Sequence, residues 1–225
     1  MPACHVKRRH RTDYCTMKGG NVKKMAMLCG YLATHPQMLP TYIRQSINRS
    51  VSPIALELPW ISFAAIQWLE KFLKPSFAVA EFGGGGSTLF FAGRTASVLC
   101  VESHQDWIQK IEDALAERNI SNVSVQLHPF DPRDQEAYAR SGYLASIEGN
   151  SYDVILVDGY EEDVELRPTC FYHAQEHVRE GGIIIVDDSW RYLSLRENNR
   201  AKEWREFRSI GPCRPGVTTT DIFFY

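Results

Sequence analysis

The chain has 225 residues, of which 44% are hydrophobic and 23% are charged, and its formal net charge at pH 7 is −2. This composition is typical of one globular domain with a sizeable core, and the small net charge gives no chain-wide signal for a nucleic-acid or membrane partner. No apolar run approaches the roughly 18 residues of a membrane span, and no secretory signal is recognised. Six cysteines without paired spacing indicate a reducing cytoplasm.

Residues 1–59 are predicted to form a helical extension and linker, and residues 60–225 to form the main domain. Two short helices are expected around Val22–Thr34 and Leu39–Ile47, because prolines interrupt the helical pattern between them. The basic cluster His5–Arg11 is interpreted as a solvated terminus rather than as a binding site for an acidic partner. The extension is expected either to cover a pocket or to mediate formation of a homodimer.

From residue 60 onward, short apolar runs alternate with amphipathic helical patterns, beginning with a helix that starts at Trp60 and stops at Pro75. Five strands are predicted, at Phe77–Phe82, Ser97–Glu102, Val123–Leu127, Tyr152–Gly159 and Gly182–Asp188. The helices between them are expected at Ser87–Gly93, Gln105–Arg118, Pro132–Ile147 and Pro168–Glu180. An antiparallel hairpin at the sheet edge is predicted from Trp204–Ile210 and Val217–Tyr225. The alternation predicts an α/β fold, with a mostly parallel sheet covered by helices on both faces.

The segment FAVAEFGGGGSTLFFAG, residues 77–93, places four consecutive glycines at the carboxyl end of the first strand. Four glycines are entropically costly unless the backbone must approach something closely. Ligands of parallel α/β sheets bind at this end of the strands. A phosphate-binding P-loop needs a lysine after the loop, and a dinucleotide fingerprint needs a glycine where Thr88 or Leu89 stands, so neither pattern is present.

Two acidic residues flank the loop: Glu81 precedes the glycines and Glu102 ends the next strand. Glu102 is placed to accept both hydrogen bonds of a ribose diol, whereas Glu81 would repel a pyrophosphate and suits an ammonium group. S-adenosylmethionine combines an ammonium, a sulfonium and a ribose and carries no phosphate, so it is the ligand that we predict. A tight turn whose glycines serve only packing is the alternative.

The segments AEFGGGGST, VLCVES, YDVILVDG and GGIIIVDDSW, followed by a terminal hairpin, resemble class I S-adenosylmethionine-dependent methyltransferases in family order. The resemblance covers about residues 60–225. It implies a Rossmann-like, seven-stranded sheet in the order 3-2-1-4-5-7-6 with its last strand antiparallel. It also implies that the cofactor is bound by Glu81, Gly83, Gly84, Gly85, Ser87, Glu102, Ser103, His104, Phe130, Asp131 and Asp158.

Three more acids, Asp158, Asp187 and Asp188, end the fourth and fifth strands. Carboxylates on neighbouring strand ends repel one another unless a cation, a proton or a substrate ammonium intervenes, and oxygen-rich sites suit Mg²⁺. Their placement resembles the metal site of catechol-type O-methyltransferases, which implies Mg²⁺ held by all three and a hydroxyl acceptor acidified by the metal. Two alternatives stay open: Asp158 or Asp188 acts as a catalytic general base without a metal, or these acids only cap the following loops.

These patterns together predict a cytoplasmic methyltransferase that transfers a methyl group to a hydroxyl oxygen of a small molecule. Trp60 and Trp190 could wall the acceptor pocket, with ordinary core packing as the alternative. His104 could lie beside the adenosine or in solvent, and the acidic loop 159–165 could form a rim or simply be solvated. The alternatives are a non-catalytic, methyltransferase-like binding protein and an α/β enzyme that uses NAD or a nucleotide sugar. Neither a nucleic-acid nor a membrane partner is expected.

Overall fold

A computed structural model describes residues 16–48, 50–160 and 166–225. The described chain forms seven strands: β1 Ala78–Phe82, β2 Ser97–Glu102, β3 Val123–Leu127, β4 Tyr152–Val157, β5 Val178–Asp187, β6 Glu203–Ile210 and β7 Val217–Phe224. They make one sheet in the order β3-β2-β1-β4-β5-β7-β6. Strands β1 to β5 are parallel, and β7 runs antiparallel to both β5 and β6. The predicted α/β architecture and strand order are confirmed.

The helices are α1 Thr16–Thr34, α2 Leu39–Thr41, α3 Pro53–Leu56, α4 Phe63–Phe72, α5 Gly86–Ala92, α6 Gln105–Glu117, α7 Gln135–Ala139, α8 Gly142–Ala145 and α9 Arg167–Ala174. Short 3₁₀ turns at Pro36–Met38, Ser189–Arg191 and Leu193–Arg196, and a π-helical turn at Tyr42–Ser46, complete the described helical structure. None of the described helices is both long enough and apolar enough to cross a membrane.

In the N-terminal segment, the first predicted helix begins earlier, at Thr16, and the second is divided into α2 and the π-helical turn. Two of the helices predicted between the strands also differ from the structure. The helix expected over 132–147 is divided into α7 and α8, because the chain turns at Ser141 and brings Gly142 against the His128 ring. A Cβ at Gly142 would lie 2.7 Å from Nδ1 of that ring. The helix expected to end at Glu180 stops at Ala174, since residues 178–182 extend β5 through pairing with Tyr152 and hydrogen bonds to Tyr225.

The core consists of two layers, one on each face of the sheet, because successive strand residues point in opposite directions. Val79 and Val154 pack beneath α1, α4 and α5, whereas Ala80 and Ile155 pack against α7, α8 and α9. Strands β1 and β4 are buried on both faces, as their continuous apolar sequences predict. The open carboxyl ends of these central strands therefore remain as the place where polar side chains can gather.

The described part of the N-terminal segment packs on the sheet and on the turn between β6 and β7. The Tyr42 hydroxyl donates to the carbonyl oxygen of Pro215 (2.9 Å), and the Ser46 hydroxyl donates to that of Gly211 (2.7 Å). The Cys213 N–H donates to the carbonyl oxygen of Gln45 (2.6 Å). Three hydrogen bonds thus tie residues 42–46 to this turn, and the boundary at residues 59 and 60 stays a prediction.

Candidate functional site

A cavity of about 1140 Å³ opens at the carboxyl ends of the central strands. Its wall combines the glycine loop, the ends of β2 and β4, residues 188–190 and the turn between β6 and β7. Lys24 and Met27 of α1 and Pro53 of α3 also line it. The N-terminal segment therefore contributes to the cavity wall, and the cavity lies where parallel α/β sheets bind their ligands.

Two of the four glycines, Gly83 and Gly86, allow close approach to the chain's own backbone. Gly83 has a φ of +88°, and a Cβ there would lie 2.6 Å from Cα of Gly159 in the loop after β4. At Gly86, a Cβ would overlap the carbonyl oxygens of Pro53 and Leu58 beneath α3. The loop is therefore held between two backbone segments, which leaves its remaining surface open along the cavity.

Glu81 is fully buried beneath the loop and does not line the cavity, in contrast to its predicted contact with the cofactor. Strand alternation places it on the face covered by α5 and α6. The Thr88 hydroxyl donates to Oε1 of Glu81 and accepts the Gly85 N–H at 2.9 Å. Burial raises the pKa of Glu81 to about 7, although hydrogen bonds from Ser87 and Thr88 oppose the rise. Glu81 thus braces the glycine loop from below.

Glu102 is positioned as the sequence predicts, at the end of β2 with its carboxylate on the cavity wall. Its Oε1 accepts the backbone N–H groups of Ser103 (2.6 Å) and His104 (3.1 Å). Its Oε2 accepts the Gly84 N–H at 3.3 Å. A carboxylate oxygen can accept two hydrogen bonds, so Oε2 keeps capacity for a ligand hydroxyl.

Trp107, on the first turn of α6, is a wall residue that the sequence analysis did not single out. Its indole Nε1 donates to the carbonyl oxygen of Gly84 at 2.6 Å, and its ring covers Gly85. The His104 and Tyr160 rings also line the cavity, and their centroids are 5.0 Å apart. An aromatic side chain one turn after the β2 acid is the signal that could have identified Trp107.

The other predicted cofactor residues divide between the wall and its surroundings. Gly83, Gly84, Gly85, Ser87, His104 and Asp158 line the cavity together with Glu102. Three do not: the Ser103 hydroxyl contacts His104, Phe130 packs on Tyr138 at a centroid distance of 4.7 Å, and Asp131 accepts the Arg133 N–H. Of the predicted acidic rim, residues 161–165 lie outside the described residues, as does the basic cluster 5–11.

Asp158 forms an ion pair with Arg167, a residue that the sequence analysis missed. Nη2 of Arg167 lies 3.0 Å from Oδ1 of Asp158, and its other nitrogens donate to the carbonyl oxygens of Gly159 and Asp187, both at 3.0 Å. Burial raises the pKa of Asp158, and the guanidinium opposes that rise. One of the three predicted catalytic or metal-binding acids therefore already has a cationic partner.

Arg214 joins the other two acids. Its Nη2 lies 2.9 Å from Oδ2 of Asp187 and its Nη1 lies 2.6 Å from Oδ1 of Asp188. Asp187 is fully buried and also accepts the Thr220 hydroxyl at 2.8 Å. Burial raises the pKa of Asp187, whereas for Asp188 the burial effect is outweighed by Arg214 and Arg167, which lower its pKa.

These acids do not fit the predicted Mg²⁺ site. Arg214 lies between the carboxylates of Asp187 and Asp188, and Arg167 pairs with the carboxylate of Asp158. Both oxygens of Asp187 are engaged, whereas a metal ion would need free carboxylate oxygens. Within residues 16–48, 50–160 and 166–225, no three metal-ligating side chains come together. The sequence analysis missed this because Arg214 is distant in sequence and reaches the acids only through the β6–β7 turn.

Comparison with known proteins identifies the fold. No protein-family model and no curated protein sequence matches the chain. The O-methyltransferase TomG from Streptomyces achromogenes, involved in tomaymycin synthesis and solved with S-adenosylmethionine, aligns with a TM-score of 0.58 and 14% identity, over 89% of this chain and 97% of that one. An rRNA methylase from Streptococcus thermophilus aligns with a TM-score of 0.54 and 12% identity, over 77% and 97%. The cofactor-bound protein Rv0187 from MTB aligns with a TM-score of 0.55 and 16% identity, over 87% of this chain and 89% of that one.

The chain therefore has the class I S-adenosylmethionine-dependent methyltransferase fold. Its similarity extends to an O-methyltransferase and to an rRNA methylase alike, and a shared fold does not determine the acceptor. The acceptor has to be argued from the cavity.

Proposed function

We propose that this protein is an S-adenosylmethionine-dependent methyltransferase that methylates a hydroxyl oxygen of a small molecule. The observation that carries the proposal is that one cavity contains both the candidate cofactor-binding groups and a candidate catalytic carboxylate. The Glu102 carboxylate beside the glycine loop and the Asp188 carboxylate after β5 both line this cavity. An enzyme that brings a cofactor to an acceptor needs such a shared space.

The acceptor and aromatic groups on the wall fit S-adenosylmethionine. Oε2 of Glu102 can accept a ribose hydroxyl, and the His104 and Tyr160 rings offer a surface beside the nucleoside. The Glu102 carboxylate beside the glycine loop suits a ligand with an ammonium and a sulfonium and would repel a pyrophosphate. When bound, this cofactor supplies a methyl group on a positively charged sulfur.

The protein must orient the acceptor and remove its proton, and Asp188 is suited to both tasks. Its carboxylate lines the cavity, and its lowered pKa keeps it ionised at neutral pH. The hydrogen bonds it receives from the described Arg214, Thr218 and Trp190 all reach Oδ1, so Oδ2 is available to an acceptor hydroxyl. Asp188 also has a φ of +50°, a conformation uncommon for non-glycine residues and frequent at functional sites.

Two indole rings give the cavity wall near Asp188 an apolar surface. Trp60 and Trp190 are 48% and 57% exposed, and both line the cavity. The Trp190 Nε1 lies 3.4 Å from Oδ1 of Asp188, and the Arg214 guanidinium lies 5.5 Å from the Trp60 ring centroid. A planar acceptor would pack on these rings with its hydroxyl toward Asp188.

Calorimetric titration with S-adenosylhomocysteine tests the cofactor assignment. We expect binding in the micromolar range, weakened at least about tenfold in Glu102→Ala because the ribose loses its acceptor. Glu112→Ala, which removes an exposed carboxylate from α6, should bind like the wild type, and NAD should give no heat. Failure of the wild type to bind S-adenosylhomocysteine would remove the assignment.

Methyl transfer from labelled S-adenosylmethionine then tests the acceptor. We expect transfer to one or more planar hydroxy compounds and none to total RNA. Transfer to RNA alone would replace the small-molecule proposal. Cofactor binding without transfer to any of these acceptors would favour a non-catalytic binding protein.

A further inference from the structure

We propose that Arg214 is a built-in cation that takes the place of a divalent metal at the acceptor site. It joins Asp187 to Asp188 and positions Asp188 to receive the acceptor proton, so that methyl transfer needs no metal ion. The catalytic part of this proposal rests on the proposed function, whereas the exclusion of metal ions is a property of the protein alone.

The contacts of Arg214 account for most of its guanidinium. In addition to the two carboxylates, Nη1 donates to the Thr218 hydroxyl at 2.7 Å and Nη2 donates to the carbonyl oxygen of Trp60 at 2.9 Å. Its side chain is 18% exposed, and Asp187 behind it is fully buried. A guanidinium held in this way by two carboxylates has a fixed position, unlike a solvated surface arginine.

Among the described residues, guanidinium groups contact each of the three acids. Counted at their formal charges, Asp158, Asp187 and Asp188 bring three negative charges, and Arg167 and Arg214 bring two positive ones in direct contact with them. The free Oδ2 of Asp188 is where the remaining formal charge of this group is accessible. A divalent ion bound there would lie close to two guanidinium groups and be repelled by both.

The fold holds Arg214 in position through the N-terminal segment. Cys213, immediately before it, has a φ of +52°, which is an uncommon conformation for a residue with a side chain. The hydrogen bonds that Tyr42 and Ser46 donate to residues 211–215, and the one that the Gln45 carbonyl oxygen accepts from the Cys213 N–H, stabilise the turn in this form. The segment expected to act as a lid or dimer contact thus has a third role, which is to position Arg214.

The chemical step follows from this arrangement. The acceptor O–H bond breaks and its proton passes to the Asp188 carboxylate, while the acceptor oxygen forms a bond to the methyl carbon. The S–C bond breaks at the same time, its electron pair returns to sulfur, and the sulfonium becomes a neutral thioether. Arg214 exchanges no proton; its charge keeps Asp188 ionised before the reaction.

Binding of Mn²⁺, a spectroscopic substitute for Mg²⁺ at oxygen sites, tests the exclusion of metal ions. We expect no binding of MnCl₂ to the wild type up to about 1 mM, and binding at least about tenfold tighter to Arg214→Ala, in which the carboxylates lose their cation. Arg205→Ala is the matched control, because Arg205 is an exposed arginine of the same β6–β7 hairpin that pairs with Glu203 outside the cavity. It should behave like the wild type.

Equal Mn²⁺ binding by wild type and Arg214→Ala, or no binding by either, would overturn the proposal that Arg214 occupies a cation position. If Arg214→Ala does not fold, Arg214→Gln removes the charge while keeping a hydrogen-bonding side chain, and the same comparison applies. Tight Mn²⁺ binding by the wild type alone is sufficient to reject the proposal. None of these results depends on cofactor binding, so they remain interpretable if the methyltransferase assignment fails.

Once an acceptor is found, the pH profile tests the positioning role. Loss of Arg214 removes the charge that lowers the pKa of Asp188, so the acidic limb of kcat/KM should move up by at least about one pH unit in Arg214→Gln. Arg214→Lys restores a positive charge and should move the limb back toward the wild type. Loss of wild-type activity in EDTA, recovered with Mg²⁺, would contradict the proposal, as would an unshifted limb in Arg214→Gln.

Discussion

Replacing Glu81 by glutamine removes the ability of this buried side chain to ionise and keeps its size and shape nearly unchanged. The wild-type carboxyl is fully buried, its Oε1 accepts the Thr88 hydroxyl, and its Oε2 has no hydrogen-bond partner among the described residues. Glutamine has nearly the same shape and can accept the same hydrogen bond, so it imitates the protonated form of Glu81. The variant therefore isolates the free energy that depends on ionisation of this group.

The size of the effect follows from the pKa shift. Burial raises the pKa of Glu81 from 4.5 to about 7 in the folded protein. Between these values the folded state holds a proton that the unfolded state has released, so the free energy of unfolding falls as pH rises. At about 1.4 kcal/mol per pKa unit, the loss amounts to about 3 kcal/mol and is complete above about pH 7. Glutamine does not ionise, so the free energy of unfolding of the variant does not fall in this way as the pH rises.

Urea unfolding of wild type, Glu81→Gln and the exposed control Glu112→Gln at about pH 5 and pH 8 measures this difference. The free energy of unfolding of Glu81→Gln, relative to wild type, should be about 2.5 kcal/mol higher at the upper pH than at the lower one, because part of the loss has already occurred at pH 5. The control should show no such change. All other titrating groups are common to the proteins and cancel. Parallel pH dependences for Glu81→Gln and wild type would refute the reasoning.

Three further substitutions test the site. Gly86→Ala should lower the free energy of unfolding by about 3 kcal/mol, because its Cβ overlaps two backbone carbonyl oxygens; Gly30→Ala, where a Cβ meets nothing within 4 Å, is the matched control in thermal unfolding. Trp107→Phe removes the 2.6 Å hydrogen bond to the glycine loop and should raise the Kd for S-adenosylhomocysteine about tenfold by calorimetry. Asp188→Asn cannot accept a proton and should lower kcat at least about 100-fold, with the same Kd within about threefold. An unchanged free energy of unfolding for Gly86→Ala, an unchanged Kd for Trp107→Phe or an unchanged kcat for Asp188→Asn would contradict the corresponding expectation.

The sheet could be predicted from the sequence because its central strands are short apolar runs bounded by turns. Val154–Val157 and Ile183–Val186 are buried on both faces, which is the pattern typical of parallel strands. The position of Glu102 beside the glycine loop could be predicted by the same reasoning, since the carboxyl ends of parallel strands lie at one edge of the sheet. Local pattern and strand direction were sufficient for this part of the site.

The contacts of side chains that arrive from distant segments could not be predicted in this way. The placement of Arg214 depends on the geometry of a turn held by residues 42–46, and no periodicity encodes that contact. Glu81 was expected at the ligand because it adjoins the glycines, but strand alternation turns it under α5. The division of the helix after β3 depends on the approach of Gly142 to His128, which is again a tertiary contact.

The position of β7 has a consequence for the order of events during synthesis. This strand is translated after the other six, but it lies between β5 and β6 in the finished sheet. Until residues 211–224 leave the ribosome, Asp187 has neither Arg214 nor Thr220 as a partner, and burying it ionised would cost several kcal/mol. The nascent chain must therefore keep the β5 edge hydrated, in a form that invites chaperones or strand pairing with other chains. The hairpin that closes this edge also supplies the cationic partner of the buried acid, so completion of the fold also completes the Asp187–Arg214–Asp188 cluster.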